Sequence, residues 1–188
     1  MTKRKEKKFF STKKWYHATT LSGAVAILKY GINSRINEGK PRDFGSGFYL
    51  SPSYGWACEN AKKLIAESVM GEKDFKSEIP VVLVFEFCPA DLIKEGFTTL
   101  FFETVDEDFA KFTMNNWVSP ESSKTDTDMV GGPMTVDGQL EAIATLSEDD
   151  LIAFFMKDSG DMQLLMHSQR VCDIIKISKI IPLLEERS

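Results

Sequence analysis

The sequence of 188 residues is poor in histidine and cysteine, the residues that bind most protein-bound zinc. It has two histidines, His17 and His167, and three cysteines that lie far apart without Cys-x-x-Cys spacing. Because no usual ligand spacing is available, we expect no metal. An odd number of cysteines is also atypical of a disulfide-bonded secreted protein and favours a reducing cytoplasm.

Long apolar runs are lacking as well. No stretch approaches the ~20 consecutive apolar residues that cross a bilayer, and the N-terminus is basic, without the apolar centre of a secretory signal. We therefore expect no membrane association and a cytoplasmic location. With 43% hydrophobic and 27% charged residues, the chain has the composition of an ordinary globular protein.

Positive charge is concentrated at the N-terminus. Residues 1–14 contain seven Lys or Arg and one Glu, a net charge of +6, whereas the whole chain carries −5. We interpret residues 1–14 as a flexible basic arm and residues 15–188 as a single domain. Such an arm suits contact with nucleic acid or an acidic partner; a solvated tail without a partner is the alternative.

The order of the predicted elements indicates an α+β fold. Composition and alternation predict strands at Trp15–Thr19, Phe48–Leu50, Pro80–Pro89, Asp128–Met134 and Gln163–Ser168, of which the third is buried on both faces and the fourth runs into a Gly-Pro turn. Helical spacing and capping residues predict helices that begin near Thr20, Ser53, Asp106 and Ser147. The apolar segment Val171–Leu184 is expected to complete the sheet.

The stretch Asp43–Pro52 has the composition of a ligand-binding turn. Gly45 and Gly47 allow positive φ or a close main-chain approach, and the strand that follows places Tyr49 and Ser51 on one face. A ring beside a hydroxyl suits a flat ligand with polar edges. The alternative is a glycine turn that feeds a core strand.

Three separated motifs resemble the ADP-ribosyltransferase superfamily, in its diphtheria-toxin and poly(ADP-ribose)-polymerase-like branch. They are Tyr16-His17, Gly47-Phe48-Tyr49-Leu50-Ser51 and the strand that begins with Gln163. The signature of that branch is a His, a Tyr and a third residue, usually Glu, on three strands. More closely, the chain resembles a bacterial family with an Asp-Phe-Gly-x-Gly-Phe-Tyr motif, a Trp-bearing helix and an Asp-x-Val-x-Gly-Pro turn, matched here by Trp117 and Asp128–Pro133.

The resemblance spans about residues 15–175 and implies a fold, a substrate and a site. The fold would be an ADP-ribosyltransferase-like pair of split mixed and antiparallel sheets flanked by short helices, and the substrate would be NAD. His17 would bind a ribose hydroxyl, the Ala18 main chain the carboxamide, and Tyr49 would stack on the nicotinamide. Further NAD contacts are implied for Gly45, Gly47, Phe48, Ser51, Tyr54 and Trp56.

Gln163 departs from the usual third residue because an amide carries no charge to offset the cation that develops on the ribose. Three readings remain open. In the first, Gln163 is the natural third residue of this subfamily. In the second, it is a substitution that inactivates the enzyme. In the third, the protein binds NAD or ADP-ribose without catalysing a reaction. Glu141 is the nearest spare carboxylate in the sequence.

The resemblance thus implies a mono-ADP-ribosyltransferase with His17, Tyr49 and Gln163 as its catalytic residues. The acceptor would be protein or nucleic acid, and kinship favours a bacterial toxin of a toxin–antitoxin or phage-defence system with an antitoxin partner. The alternatives are a non-catalytic module that binds NAD or ADP-ribose, and an NAD glycohydrolase.

Overall fold

The computed structural model describes residues 2–70, 78–120, 125–135 and 147–184. The strands in these ranges are β1 (Lys14–Thr20), β2 (Phe48–Leu50), β3 (Pro80–Glu86), β4 (Thr99–Phe101), β5 (Met129–Thr135), β6 (Asp158–Met166) and β7 (Ile177–Pro182). The helices are α1 (Thr2–Phe10), α2 (Leu21–Tyr30), α3 (Tyr54–Met70), α4 (Pro89–Lys94), α5 (Glu107–Val118), α6 (Glu148–Phe155) and α7 (Gln169–Cys172). The predicted α+β class, with helices flanking antiparallel and mixed sheets, is confirmed.

The strands form two sheets that meet at one point. The first sheet has the order β1-β3-β7 and is antiparallel; the second has the order β2-β6-β5-β4, in which β4 and β5 are parallel. Tyr16 in β1 and Ser51 just after β2 exchange two main-chain hydrogen bonds of 2.8 Å. On either side of this contact, β1 pairs with β3 and β2 with β6, so the two sheets separate between β1 and β2.

The apolar run at residues 80–89 forms the central strand of the first sheet, as predicted. Residues 81–85 of β3 are buried. Val82 packs against Ala57 and Ala61 of α3, whereas Leu83 on the opposite face belongs to the main core. Burial on both faces explains why this strand is continuously apolar rather than alternating.

Helix starts are the best-predicted local features. The side chains of Thr20, Ser53, Asp106 and Ser147 each accept a hydrogen bond from a main-chain N–H in the first turn of the helix that follows. These bonds satisfy donors that the helix itself leaves without partners.

The basic N-terminal segment differs from the expected arm. Its residues 2–10 form α1, and Phe9 and Phe10 at the end of this helix are only 8% and 2% exposed. The two rings lie 5.3 and 5.4 Å from the ring of Phe101, and Phe9 also meets Trp15. The free energy gained by burying two adjacent aromatic side chains exceeds the conformational entropy that a disordered tail would retain. The helix is therefore attached to the core at this end.

Two strands extend further than predicted. Residues 129–135 form one strand, β5, with no turn at Gly-Gly-Pro. Gly131 and Gly132 serve packing there, since a Cβ would lie 2.6 Å from the ring of Phe9 and 3.0 Å from Cβ of Phe102 respectively. Strand β6 begins at Asp158, so Gln163 lies within the strand and not at its start.

The apolar segment Val171–Leu184 is divided between two elements. It contains the end of α7 and then β7, which is the edge strand beside β3 in the first sheet. The expectation that this segment completes a sheet is confirmed for β7.

Candidate functional site

The loop that leads into β2 requires both of its glycines. Gly45 has a φ of 83°, which favours glycine. Gly47 has a φ of 155°, and a Cβ there would lie 2.2 Å from Cδ1 of Leu165 and 2.7 Å from the carbonyl of Met166. The loop can therefore approach β6 closely only because residue 47 has no side chain.

Tyr49 in β2 fastens this loop with its hydroxyl group. The hydroxyl donates to the carbonyl of Gly45 at 2.7 Å and accepts from the amide of Phe44 at 3.0 Å. The half-buried ring packs in a cluster with Phe44 and Leu165. Burial, with the nearby Asp43 carboxylate, raises the pKa of Tyr49 well above its usual value, so its phenol stays neutral and available as a hydrogen-bond donor.

His17 in β1 has one ring nitrogen hydrogen-bonded and one without a partner among the residues that the structure describes. Its Nδ1–H donates to the main-chain carbonyl of Tyr49 at 2.8 Å, and its ring stacks on Phe48 with centroids 4.1 Å apart. Burial lowers the pKa of His17 from 6.5 to about 4, against the opposing effect of the Tyr49 carbonyl. At neutral pH the ring is therefore uncharged, and Nε2, which has no hydrogen-bond partner among the described residues, is an acceptor.

Gln163 lies in β6 and is only 6% exposed. Its Nε2 donates to Oδ2 of Asp43 at 2.7 Å and to the carbonyl of Pro133 at 3.2 Å. Both N–H groups of the amide are thus used within the protein. Within the described residues, Oε1 accepts no hydrogen bond and is the part of this side chain left to contact a ligand.

In the sequence, Asp43 has no assigned role beyond its place in the Asp-Phe-Gly motif. In the structure, it accepts hydrogen bonds from several elements. Its carboxylate accepts from Nε1 of Trp117 at 3.1 Å, from N and Oγ1 of Thr135 at 3.0 and 2.7 Å, and from Gln163. Its own carbonyl accepts from Nδ2 of Asn116 at 2.9 Å. The signal in the sequence was its place at the head of the Asp-Phe-Gly motif, but its partners on α5, β5 and β6 are distant in sequence.

The three proposed catalytic residues lie on three neighbouring strands: His17 on β1, Tyr49 on β2 and Gln163 on β6. Tyr49 is paired with Leu165, and Gln163 lies two residues from Leu165, so the side chains of Tyr49 and Gln163 lie on the same face of the second sheet. The His17 ring lies on the Phe48 side of β2 and reaches Tyr49 through its main chain. No hydrogen bond joins His17 to Gln163 in the described part of the chain.

Phe48 and Ser51, two of the proposed NAD contacts, are buried. Phe48 is 3% exposed beneath the His17 ring. Ser51 is 1% exposed, and its hydroxyl accepts from the amide of Ser53 at 3.0 Å. The structure gives both side chains partners inside the protein.

The remaining proposed contacts lie on the α3 side of β1. Tyr54, at the start of α3, is 41% exposed, and its ring lies 5.4 Å from that of Tyr16. Trp56 and Ala18 are partly buried against the same helix–sheet cluster. Of the two aromatic side chains proposed here, Tyr54 is the more exposed.

His167, which the sequence left as a structural residue, holds the same loop as His17. Its Nδ1–H donates to the carbonyl of Ser46 at 2.8 Å. Both histidines of the chain therefore support carbonyl groups of this segment, His17 that of Tyr49 in β2 and His167 that of Ser46 in the loop before it.

The described ranges contain neither a metal-binding cluster nor a membrane-spanning helix. No group of three or more His, Cys, Asp or Glu side chains there is placed to hold a metal ion. None of the helices in these ranges is both long and apolar enough to cross a membrane. Glu141 lies outside the described residues.

A groove of about 350 Å³ lies between α2 and the segment that joins α7 to β7. Ile27, Ile32, Cys172 and Ile175 are among its lining residues, and none of the candidate site residues lines it. The candidate functional site is therefore the hydrogen-bonded cluster around Tyr49 and not this groove.

Comparisons with protein-family models, with curated proteins and with solved structures find no match.

Proposed function

We propose that the protein is a mono-ADP-ribosyltransferase that uses NAD as donor. The observation that carries this proposal is that His17, Tyr49 and Gln163, far apart in the sequence, lie on three adjacent strands at the point where the two sheets separate. A His, a Tyr and a third residue on three strands is the arrangement that the resemblance to the superfamily implies.

His17 is suited to orient the ribose of a dinucleotide. Its Nδ1–H is fixed by the Tyr49 carbonyl, so the neutral ring presents Nε2 as an acceptor for a hydroxyl group. Stacking on Phe48 holds the plane of the ring. Such positioning lowers the entropic part of the reaction barrier.

Tyr49 and Gln163 are suited to the nicotinamide end of the substrate. The Tyr49 ring is anchored by its hydroxyl to the loop, so it can offer an aromatic face without moving, an interaction with a cationic ring worth about 1–2 kcal/mol when desolvated. Oε1 of Gln163, on the same face, can accept from a ribose hydroxyl.

In the proposed reaction, the bond between C1′ of the ribose and the nicotinamide nitrogen breaks. The bonding electron pair goes to that nitrogen, which loses its positive charge, and positive charge develops on the ribose. A nucleophilic oxygen or nitrogen of the acceptor forms the new bond to C1′ and loses its proton to solvent. The protein's part is to position both reactants and to stabilise the developing charge.

The acceptor class that the charge distribution favours is nucleic acid. Arg4, Lys7 and Lys8 of α1 are exposed, whereas Phe9 and Phe10 at the end of the same helix are buried. The basic face is thus attached to the core rather than free. A protein acceptor remains the other candidate, and a role as a cytoplasmic bacterial toxin with an antitoxin partner rests on the resemblance alone.

The experiment that tests the proposal follows nicotinamide release from labelled NAD in cell lysate, with protease and nuclease treatment to locate retained label. His17→Asn is compared with His167→Asn, since each removes an imidazole that donates to a carbonyl of the same loop. We expect release and retained label from the native chain and from His167→Asn, and loss of both in His17→Asn. Absence of release and of retained label in the native chain would contradict the proposal.

The second candidate is a module that binds NAD or ADP-ribose without chemistry. It is favoured by the hydrogen bonds that already occupy the Tyr49 hydroxyl and both N–H groups of Gln163. Calorimetry with NAD separates it from the enzyme, because the module binds without nicotinamide release. Release without retained label would instead indicate an NAD glycohydrolase, for which water is the acceptor.

A further inference from the structure

The carboxylate of Asp43 stands directly behind the amide of Gln163. Oδ2 of Asp43 lies 2.7 Å from Nε2 of Gln163, a short distance for a bond of this kind. Trp117 and Thr135 donate to the same carboxylate. Asp43 therefore has its position fixed from three elements, and Gln163 is the one partner among these that belongs to the proposed catalytic set.

These contacts determine which way the Gln163 amide points. Both acceptors near it, the Asp43 carboxylate and the Pro133 carbonyl, require the N–H side of the amide. The reversed amide would place Oε1 against a carboxylate oxygen and repel it. The amide is thus held with Oε1 turned away from Asp43.

We propose that Asp43 is the positioning residue that orients Gln163 and supplies the negative charge that the amide lacks. The inference rests on the proposed function and deepens it. A ribose hydroxyl next to the bond that breaks donates to Oε1 of Gln163. The Asp43 carboxylate, which accepts from Nε2 of the same amide, stabilises the positive charge that develops on the ribose. The pair Asp43–Gln163 then does together what one Glu does in the usual signature.

The test compares variants that change the net charge of this pair. Asp43→Asn keeps an oxygen that can accept from Gln163 but removes the charge. Gln163→Glu places two carboxyl groups 2.7 Å apart, where one of them retains a proton, so the pair keeps one negative charge. The double variant Asp43→Asn with Gln163→Glu exchanges the positions of the amide and the carboxylate and also keeps one negative charge.

Asp128 provides the matched control for the loss of a fixed carboxylate. It accepts from Thr98 and Ser168 and forms an ion pair with Arg170 at 3.2 Å, before the start of β5 and without contact to Gln163. Asp128→Asn therefore removes a comparably bound charge elsewhere in the same sheet. Thermal unfolding of each variant measures the structural cost separately.

Nicotinamide release is measured for all variants as separate kcat and KM values. We expect Asp43→Asn to lower kcat by about ten- to hundredfold with little change in KM, because the charge acts in the transition state. The reversed double variant should restore kcat to within about threefold of native, and Asp128→Asn should leave kcat unchanged.

Three results would overturn the inference. Native kcat in Asp43→Asn would show that the charge is not used, and a double variant no faster than Asp43→Asn would show that Asp43 has a structural role only. An equal loss of kcat in Asp128→Asn would point to general destabilisation. In each of these cases the native chain still releases nicotinamide; if it does not, the proposed function fails, and the role of Asp43 fails with it.

Discussion

Acidification should destabilise the protein through His17. Burial lowers the pKa of this histidine from 6.5 to about 4. Between these two pH values the unfolded chain takes up a proton that the folded chain does not. Stability that is present above pH 6.5 is therefore lost as the pH falls towards about 4.

The size of the effect follows from the two pKa values. At about 1.4 kcal/mol for each pKa unit, the fall from 6.5 to about 4 corresponds to at most about 3.5 kcal/mol. This value is an upper bound because His17 is only partly buried. This is a large part of the 5–15 kcal/mol that is typical for the stability of a whole domain, roughly a quarter to two-thirds of it.

The assay is urea unfolding between pH 7 and pH 4.5 for the native chain and for His17→Asn. The asparagine retains a donor for the Tyr49 carbonyl but does not titrate. Because His167 is present in both proteins, the difference between their pH profiles isolates His17. We expect the native chain to lose more stability on acidification than the variant, with a gap that widens below pH 6.5.

Parallel pH profiles for the two proteins would refute this reasoning. So would an NMR titration in which the His17 imidazole ionises near 6.5. Either result would mean that the ring is hydrated in the folded protein. Burial would then no longer explain why the imidazole is neutral, and the assignment of Nε2 as an acceptor depends on that neutral form.

The remaining predictions concern the loop and the N-terminal helix. Tyr49→Phe leaves a carbonyl and an amide of the loop without their partner, so it should lower the free energy of unfolding by about 1–3 kcal/mol, whereas Tyr30→Phe on the surface should not. Gly47→Ala should cost more than about 2 kcal/mol because its Cβ meets β6, while Gly55→Ala, whose Cβ enters open space in a helix, should be neutral or stabilising; urea unfolding distinguishes them. Phe10→Ala should cost about 3–5 kcal/mol in the same assay, and an unchanged midpoint would show that α1 is not attached to the core.

The features that sequence predicted well are those decided by neighbouring residues. A capping side chain satisfies an N–H two or three residues ahead, so helix starts at Ser53 and Ser147 are visible in the sequence. A continuous apolar run reports burial on both faces, as in β3. For α2 the sequence predicted the start of the helix but not its buried face: Val25 and Leu28 are 53% and 60% exposed, whereas Ala24 is buried.

The features that sequence predicted badly are those decided by distant residues. Gly131, Gly132 and Pro133 have the local signature of a turn, but the glycines make room for Phe9 and Phe102, which approach from other parts of the chain. The basic segment reads as a tail because its charges dominate its composition. Its attachment to the core depends on Phe101, about ninety positions away in the sequence.

The sequence by itself determined the α+β class, the glycine loop and the identity of the residues proposed to bind NAD, because turn chemistry, hydrophobic period and motif order are properties of short stretches. Only the tertiary structure decided that His17 donates to the Tyr49 carbonyl and keeps Nε2 as an acceptor. It also decided that Gln163 is backed by the carboxylate of Asp43. Both results depend on residues that are distant in the sequence, by 32 positions for His17 and Tyr49 and by 120 for Asp43 and Gln163. Contacts between such residues are set by packing and hydrogen bonding across the whole fold.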